Sequence, residues 1–302
     1  MPPPSRTPPQ TFSGTCHGTL GELFQGPLTY QGSPHIALVS LPVDRHTWHH
    51  FTPYTGEPPP HAAASRGQPR PHGEKSARAA DLFLKRYGLT LPPGEWSHHS
   101  ELDVGVGMAS STADVVAVLR CLRQVLGLPY DQRVLVETLA EIERADSVFL
   151  DEFALYLSDL HHVVRGLGTS LRFHTAYVTG PEPVDTEAVT GTLLRHYARR
   201  PAAYIDCLNT LLKGFSARDP HTVARAATTS AVLAQEALPK AEFEAVYAAR
   251  ESFAADGVFV AHTGSVLGYL YARRPSPALK SELSAFFRTL GHQCSFAHGG
   301  CW

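Results

Sequence analysis

Apolar and polar positions alternate with two different periods along this chain. From Asp114 onward Val115, Val116, Val118, Leu119, Leu122, Val125 and Leu126 fall at helical spacing, and Gly127-Leu128-Pro129 ends the run; the pattern predicts a long, well-buried helix. Glu74–Tyr87 repeats the pattern with Ala77, Ala80, Phe83 and Leu84, and Gly88 closes it. Asp131 is a candidate N-cap for a further helix that stops near residues 144–147. In the second half, Ala202–Gly214, His221–Leu238, Lys240–Ala255 and Pro275–Leu290 read as helices. Strand character marks His35–Arg45, Thr47–Thr52, Trp96–Val104, Phe149–Leu160, Leu171–Thr179 and Gly257–Ala261, with Pro42 suggesting an edge or a strand end. The stretch 13–26 predicts a strand, a turn and a second strand.

Between these elements lie three stretches without periodicity. Residues 1–12 read as a disordered Pro-rich tail, 53–73 as an exposed loop, and His292–Trp302 as a frayed end. That end carries His292, Cys294, His298 and Cys301, at a spacing unlike familiar zinc sites. The adjacent pairs His49–His50, His98–His99 and His161–His162 make no convincing metal site alone, because neighbours in sequence face apart.

Composition narrows the class. The 302 residues are 43% apolar and 18% charged with a net charge of −2, values of an ordinary globular chain long enough for two domains. No basic block points to nucleic acid, and no apolar run approaches the roughly 18 residues of a membrane span. Five scattered cysteines argue against a disulfide framework, and the expected location is the cytoplasm.

The chemistry is concentrated in Glu101–Asp114, ELDVGVGMASSTAD. A glycine-rich turn running into a helix presents free backbone N–H groups and the positive end of a helix dipole, a setting that favours phosphate. Val104, Gly105, Val106, Gly107, Met108, Ala109, Ser110, Ser111 and Thr112 are therefore the candidate ATP-phosphate loop, and Ser110 or Ser111 a candidate Mg2+ ligand. The turn lacks the GK[ST] of a Walker loop, and Ser110 stands where a dinucleotide fingerprint wants glycine or alanine. Downstream, Glu143 and Asp146 sit at or past a helix C-terminus, where a carboxylate gains from a bound cation. Glu143 is the first candidate for Mg2+, with Glu141 as alternate, and Asp146 the candidate base. A third turn, His262-Thr263-Gly264-Ser265, is expected between a strand and a helix, a second place for an anion.

In this order the stretches resemble the GHMP kinase superfamily. GTLGELFQG (Gly18–Gly26), GVGMASSTA (Gly105–Ala113) and VAHTGSVLG (Val260–Gly268) look like its three motifs. GELFQG, LPVDR (Leu41–Arg45), GMASSTAD, RADS (Arg144–Ser147), LPK (Leu238–Lys240) and VAHTGS together are most similar to the L-threonine kinases of cobalamin assembly and their actinobacterial relatives. The resemblance implies an α+β, two-domain fold: a ribosomal-protein-type ATP-binding domain over 13–168 and a ferredoxin-like domain over 169–302. It implies ATP and Mg2+, the metal on a motif serine and a helical glutamate, and Asp146 as base. The acceptor, a small hydroxy-amino acid, is assigned to Gly21, Glu22, Gln25, Asp44, His262, Thr263, Gly264 and Ser265. Asp103 departs from the family's proline, and Arg144-Ala145 from its Pro-Thr. These departures leave open a kinase for another alcohol such as homoserine, or a ligand-binding protein on the same fold. A homodimer is also left open.

Overall fold

A computed structural model describes residues 10–56, 70–180 and 186–301. They form two compact units, each assembled from three stretches of chain. The first takes described residues up to Cys16, His46–Glu101 and Ser111–Glu143; the second takes His17–Arg45, Leu102–Ser110 and the described residues from Arg144 onward.

Two long strands contribute to both units. β1 is Phe12–Tyr30 and β2 is Ser33–Pro53. The predicted turn within 13–26 is instead a bend inside β1, where Gly21 takes φ 63. Pro42 lies inside β2, between residues paired to β4 (Phe153–Leu157) and to β9 (Ser295–Gly300), rather than at an edge.

In the first unit the end of β2 pairs antiparallel with β3 (Gly94–Ser100), from Thr47 opposite Ser100 to Pro53 opposite Gly94. Three helices accompany them: α1 (Glu74–Tyr87), α2 (Ser110–Val125) and α3 (Gln132–Ala140). The periodic residues of α2 are the core, Val115, Val116, Val118 and Leu122 all having no exposed surface. Each such side chain contributes about 1.5–3 kcal/mol by burial. Arg120 and Gln124 on α2 donate to the carbonyls of Thr15 and Ser13 on β1, at 2.9 and 2.7 Å. Gly88 ends α1 in the left-handed conformation and Asp131 caps α3 by accepting from the amides of Arg133 and Val134, both as expected, whereas α3 stops at Ala140, short of the expected 144–147.

The second unit is built on an antiparallel sheet. Its order is β7 (Gly257–Val260), β8 (Leu267–Tyr271), β6 (Arg172–Val178), β9, β2, β4 and β5 (His162–Gly168), with β1 alongside β7. The expected frayed end is thus an interior strand. Residues 295–300 pair with β6 along six positions, and Val43 of β2 lies opposite Gly299. Helices α4 (Thr186–Tyr197), α5 (Pro201–Ala217), α6 (Pro220–Gln235), α7 (Phe243–Ala249) and α8 (Pro277–Thr289) complete the unit. Ala231, Phe243, Val246, Leu283 and Phe287 from α6, α7 and α8 form one core with Val258 and Tyr269 of the sheet.

Candidate active site

The second unit brings the three motifs together through main-chain bonds. The loop Val104–Ser110 turns back on itself with φ 77 at Gly105, 97 at Gly107 and 55 at Ala109. Its carbonyls are held from two sides. Thr19 and Gly21 of β1 donate to Met108 and Gly107 at 3.0 and 3.1 Å, while Ser265 and Val266 donate to Val106 at 2.8 and 3.1 Å. Glycine is required where these segments meet. A Cβ on Gly107 would strike Ala261, and one on Gly264 would strike the backbone of Val106 and Gly107. Carbonyls held from two sides fix the course of the loop. Val104, at its outer bend, is 82% exposed.

The third turn differs from expectation. It joins β7 to β8 rather than a strand to a helix, because Leu267–Tyr271 is a strand paired with both β7 and β6. No helix dipole therefore stands behind Thr263, Gly264 and Ser265. The turn is fixed by side chains instead. The buried carboxylate of Glu22 accepts from the His262 amide at 2.8 Å and from its Nδ1 at 3.1 Å. A carboxylate accepting from Nδ1 puts the imidazole hydrogen there, which lets Nε2 accept from Ser230 Oγ at 2.9 Å. Ser230 Oγ in turn accepts from the Gln25 amide, and Gln25 Nε2 donates to Tyr197 Oη at 2.9 Å. Ser265 Oγ donates to the Gly180 carbonyl. Glu22, Gln25 and His262 are thus engaged with one another and with neighbours that position the turn.

Lys240, the lysine of the LPK stretch, completes this region and had no role assigned from sequence. Its Nζ donates to the Gly264 carbonyl at 2.5 Å. Burial lowers its pKa to about 8, partly opposed by the negative charge of Glu22. Asp44 stands apart from the turn, accepting from the amide and Nδ1 of His298 at 2.8 and 2.9 Å. Asp103 is exposed, and its charge adds to burial in raising the Tyr177 phenol.

In the first unit the candidate metal residues assemble around one carboxylate. Glu143 follows α3, its amide bonded to the Leu139 carbonyl at 3.0 Å. Its side chain, 7% exposed, accepts from Ser111 Oγ at 2.9 Å, from Thr112 Oγ1 at 2.8 Å, and from Lys75 Nζ. Two hydroxyls from the first turn of α2 and a carboxylate are the hard oxygen donors Mg2+ takes. The ammonium already paired with Glu143 marks the carboxylate as a place for a cation. Glu141, the alternate, is exposed and has Arg86 at 3.8 Å.

Asp146, in the second unit, is half-buried in the irregular stretch before β4. Its charge reaches the Tyr156 phenol, raising it together with the larger effect of burial. Arg144, two residues earlier, donates to Ser158 Oγ at 2.7 Å.

Comparison with known proteins gives these features a context. Residues 74–158 match the family described as GHMP kinases N terminal domain. The chain is 28% identical to the L-threonine kinase of Salmonella typhimurium (strain LT2) over 277 residues, covering 86% of this chain and 82% of that one. Against the L-threonine kinase of Citrobacter freundii it is 28% identical over 267 residues, 85% of each. Among solved structures it resembles a homoserine kinase from Cytophaga hutchinsonii, with a TM-score of 0.68 at 14% identity, covering 98% of this chain and 96% of that one. It likewise resembles the L. major mevalonate kinase in complex with R-mevalonate, with a TM-score of 0.67 at 14% identity, covering 100% and 98%. At these identities the structural likeness is one of fold.

Proposed function

We propose that the chain, which matches the GHMP kinase N-terminal family over residues 74–158 and is 28% identical to two L-threonine kinases, is a GHMP-type kinase that phosphorylates the side-chain hydroxyl of L-threonine or a closely related hydroxy-amino acid. The observation that carries the chemistry is Glu143, a nearly buried carboxylate receiving two motif hydroxyls and an ammonium. The choice of acceptor follows the 28% identity to two L-threonine kinases along most of the chain.

ATP with Mg2+ supplies the phosphoryl group and the charge that offsets its oxygens. In this reading the amides of Val104–Ser110 and the first turn of α2 receive the phosphates, where the N-terminal end of a helix dipole favours anions. Ser110, Ser111 and Thr112 would add hydroxyls, and Glu143 with Ser111 would hold the metal, at the carboxylate where the Lys75 ammonium now sits. Asp146 takes the proton of the acceptor hydroxyl. Glu22 and His262 act behind the site by holding the third turn against β1, while Gly21, Gln25, Thr263, Gly264 and Ser265 shape the acceptor side. Asp44, tied to His298, would be drawn on only if that bond opened.

With this function goes a finer reading of the fold, a ribosomal-protein-type ATP-binding domain over 13–168 and a ferredoxin-like domain over 169–302. The succession β6, helices, β7, β8, α8, β9 with sheet order β7-β8-β6-β9 supports the second part, being the βαββαβ pattern. The enzyme is proposed to work in the cytoplasm. Five free cysteines suit a reducing compartment, and among the described residues no helix is long and apolar enough to cross a membrane.

The test is ATP consumption by the purified protein with Mg2+ across L-threonine, L-serine, L-homoserine, mevalonate and galactose. Turnover highest on L-threonine is expected. Faster turnover on homoserine would move the acceptor, and nucleotide binding without turnover on any of these alcohols would defeat the kinase reading.

A further inference from the structure

The register of β2 against β3 sets His49 directly opposite His98, with ring centroids 4.5 Å apart. Two histidine pairs that look unhelpful along the sequence thus present one imidazole each to the same face of a two-stranded ribbon. Asp114, the last residue of the GMASSTAD stretch, reaches this pair from the second turn of α2. Its Oδ1 lies 3.0 Å from His98 Nε2 and 3.6 Å from His49 Nε2. All three donor atoms fall within 4.8 Å of one another.

His49 is the anomaly in this group. It has no exposed surface, and neither ring nitrogen has a hydrogen-bond partner. A buried polar group left without a partner is costly, because it gives up its bonds to water for nothing in return. The neighbours are already matched. Asp114 accepts from Thr47 Oγ1 at 2.6 Å and pairs with His98, leaving His49 Nε2 just beyond hydrogen-bond reach.

We propose that His49, His98 and Asp114 form a zinc site, distinct from any metal bound with nucleotide at Glu143. Bonds of about 2.0–2.1 Å in a tetrahedron separate donor atoms by about 3.3 Å, and the two distances to Asp114 Oδ1 bracket that value. Two imidazoles and one carboxylate suit zinc, whereas Mg2+ and Ca2+ take oxygen donors. The metal would bond His49 Nε2 and fix its ring hydrogen on Nδ1. His98 and Asp114, each about one-fifth exposed, give the ion an entry path and leave the fourth position to water. Its effect is a clip joining β2, β3 and the start of α2, the turn that carries Ser111 and Thr112.

The test uses tag-free full-length protein purified without chelator, its metal content measured by mass spectrometry, and the metal-stripped protein titrated with Co2+. About one zinc per chain is expected, with a tetrahedral Co2+ absorption spectrum and a raised thermal midpoint on zinc addition. His98→Ala should weaken Co2+ binding by more than about 100-fold, whereas His98→Cys, which restores a ligand, should bind and shift the spectrum. Glu143→Gln should leave the spectrum unchanged. Absence of tetrahedral Co2+ in the folded wild-type protein would overturn the proposal. So would an undiminished spectrum in folded His98→Ala, or loss of the spectrum in Glu143→Gln with retention in His98→Ala.

Discussion

Glu143 and Asp146 stand three positions apart, yet their surroundings suit different tasks. Glu143 sits among donors, two hydroxyls and an ammonium, in the arrangement a cation would share. Asp146 lies in irregular chain beside a buried tyrosine. Asp146→Asn should lower kcat by about 10^2–10^4 while leaving the KM for ATP nearly unchanged, read by steady-state kinetics. Glu143→Gln should instead raise the Mg2+ concentration needed for half-maximal rate by about tenfold or more. Equal losses in both parameters for both variants would mean a shared structural role. Lys240 gives a pH signature. Its pKa is about 8 in the folded protein against 10.5 as the ordinary value. Between those limits the unfolded chain binds more protons, so stability rises with pH across the window, and below about 8 the cost of the buried charge is present in full. In urea titrations, Lys240→Met should flatten this rise between pH 8 and 10.5, whatever it does to stability at pH 7.

At the scale of elements, legibility tracked how local the determining interactions are. Helix α1 with its glycine stop and α3 with its aspartate cap were readable because the signal lies within one turn. Ser111 and Glu143, proposed as metal ligands from their motif and helix-end positions, are hydrogen-bonded to one another. Val266–Tyr271 was misjudged because a short apolar run suits either period; pairing with β6 and β7 decides it. The proximity of His49 and His98 is not written in either adjacent pair, since only the β2–β3 register makes them neighbours. The latch between the loop and the third turn predicts a sharp glycine dependence. Gly107→Ala combines φ 97 with a collision against Ala261, and should cost more than about 2 kcal/mol and abolish turnover. Gly127→Ala, at φ 64 with open space around it, should cost only about 1 kcal/mol and leave turnover intact. Denaturant midpoints and activity of the two variants check the contrast.

For the whole molecule, the α+β class and the ordered motifs were legible, but the interleaving of the two units was not. Each unit draws on three separated stretches, and no composition shift marks where the chain passes between them. The last strand was the largest surprise. SFAHGG has a glycine-rich, weakly apolar sequence, yet it fills an interior place in the sheet because β6 and β2 supply partners on both sides. That placement bears on how the protein acquires its structure. The Asp44–His298 bond joins residues 254 apart, so inserting this strand closes a very long loop before its ladder contributes anything. Refolding from denaturant should therefore pass through a collapsed intermediate in which helical signal has returned while the amides of residues 295–300 still exchange with solvent. Pulsed hydrogen exchange would detect it, with protection of β9 arriving together with the recovery of kinase activity. Until that step the facing edges of β2 and β6 stay open, and the same interval is when the chain is most prone to pair with another copy.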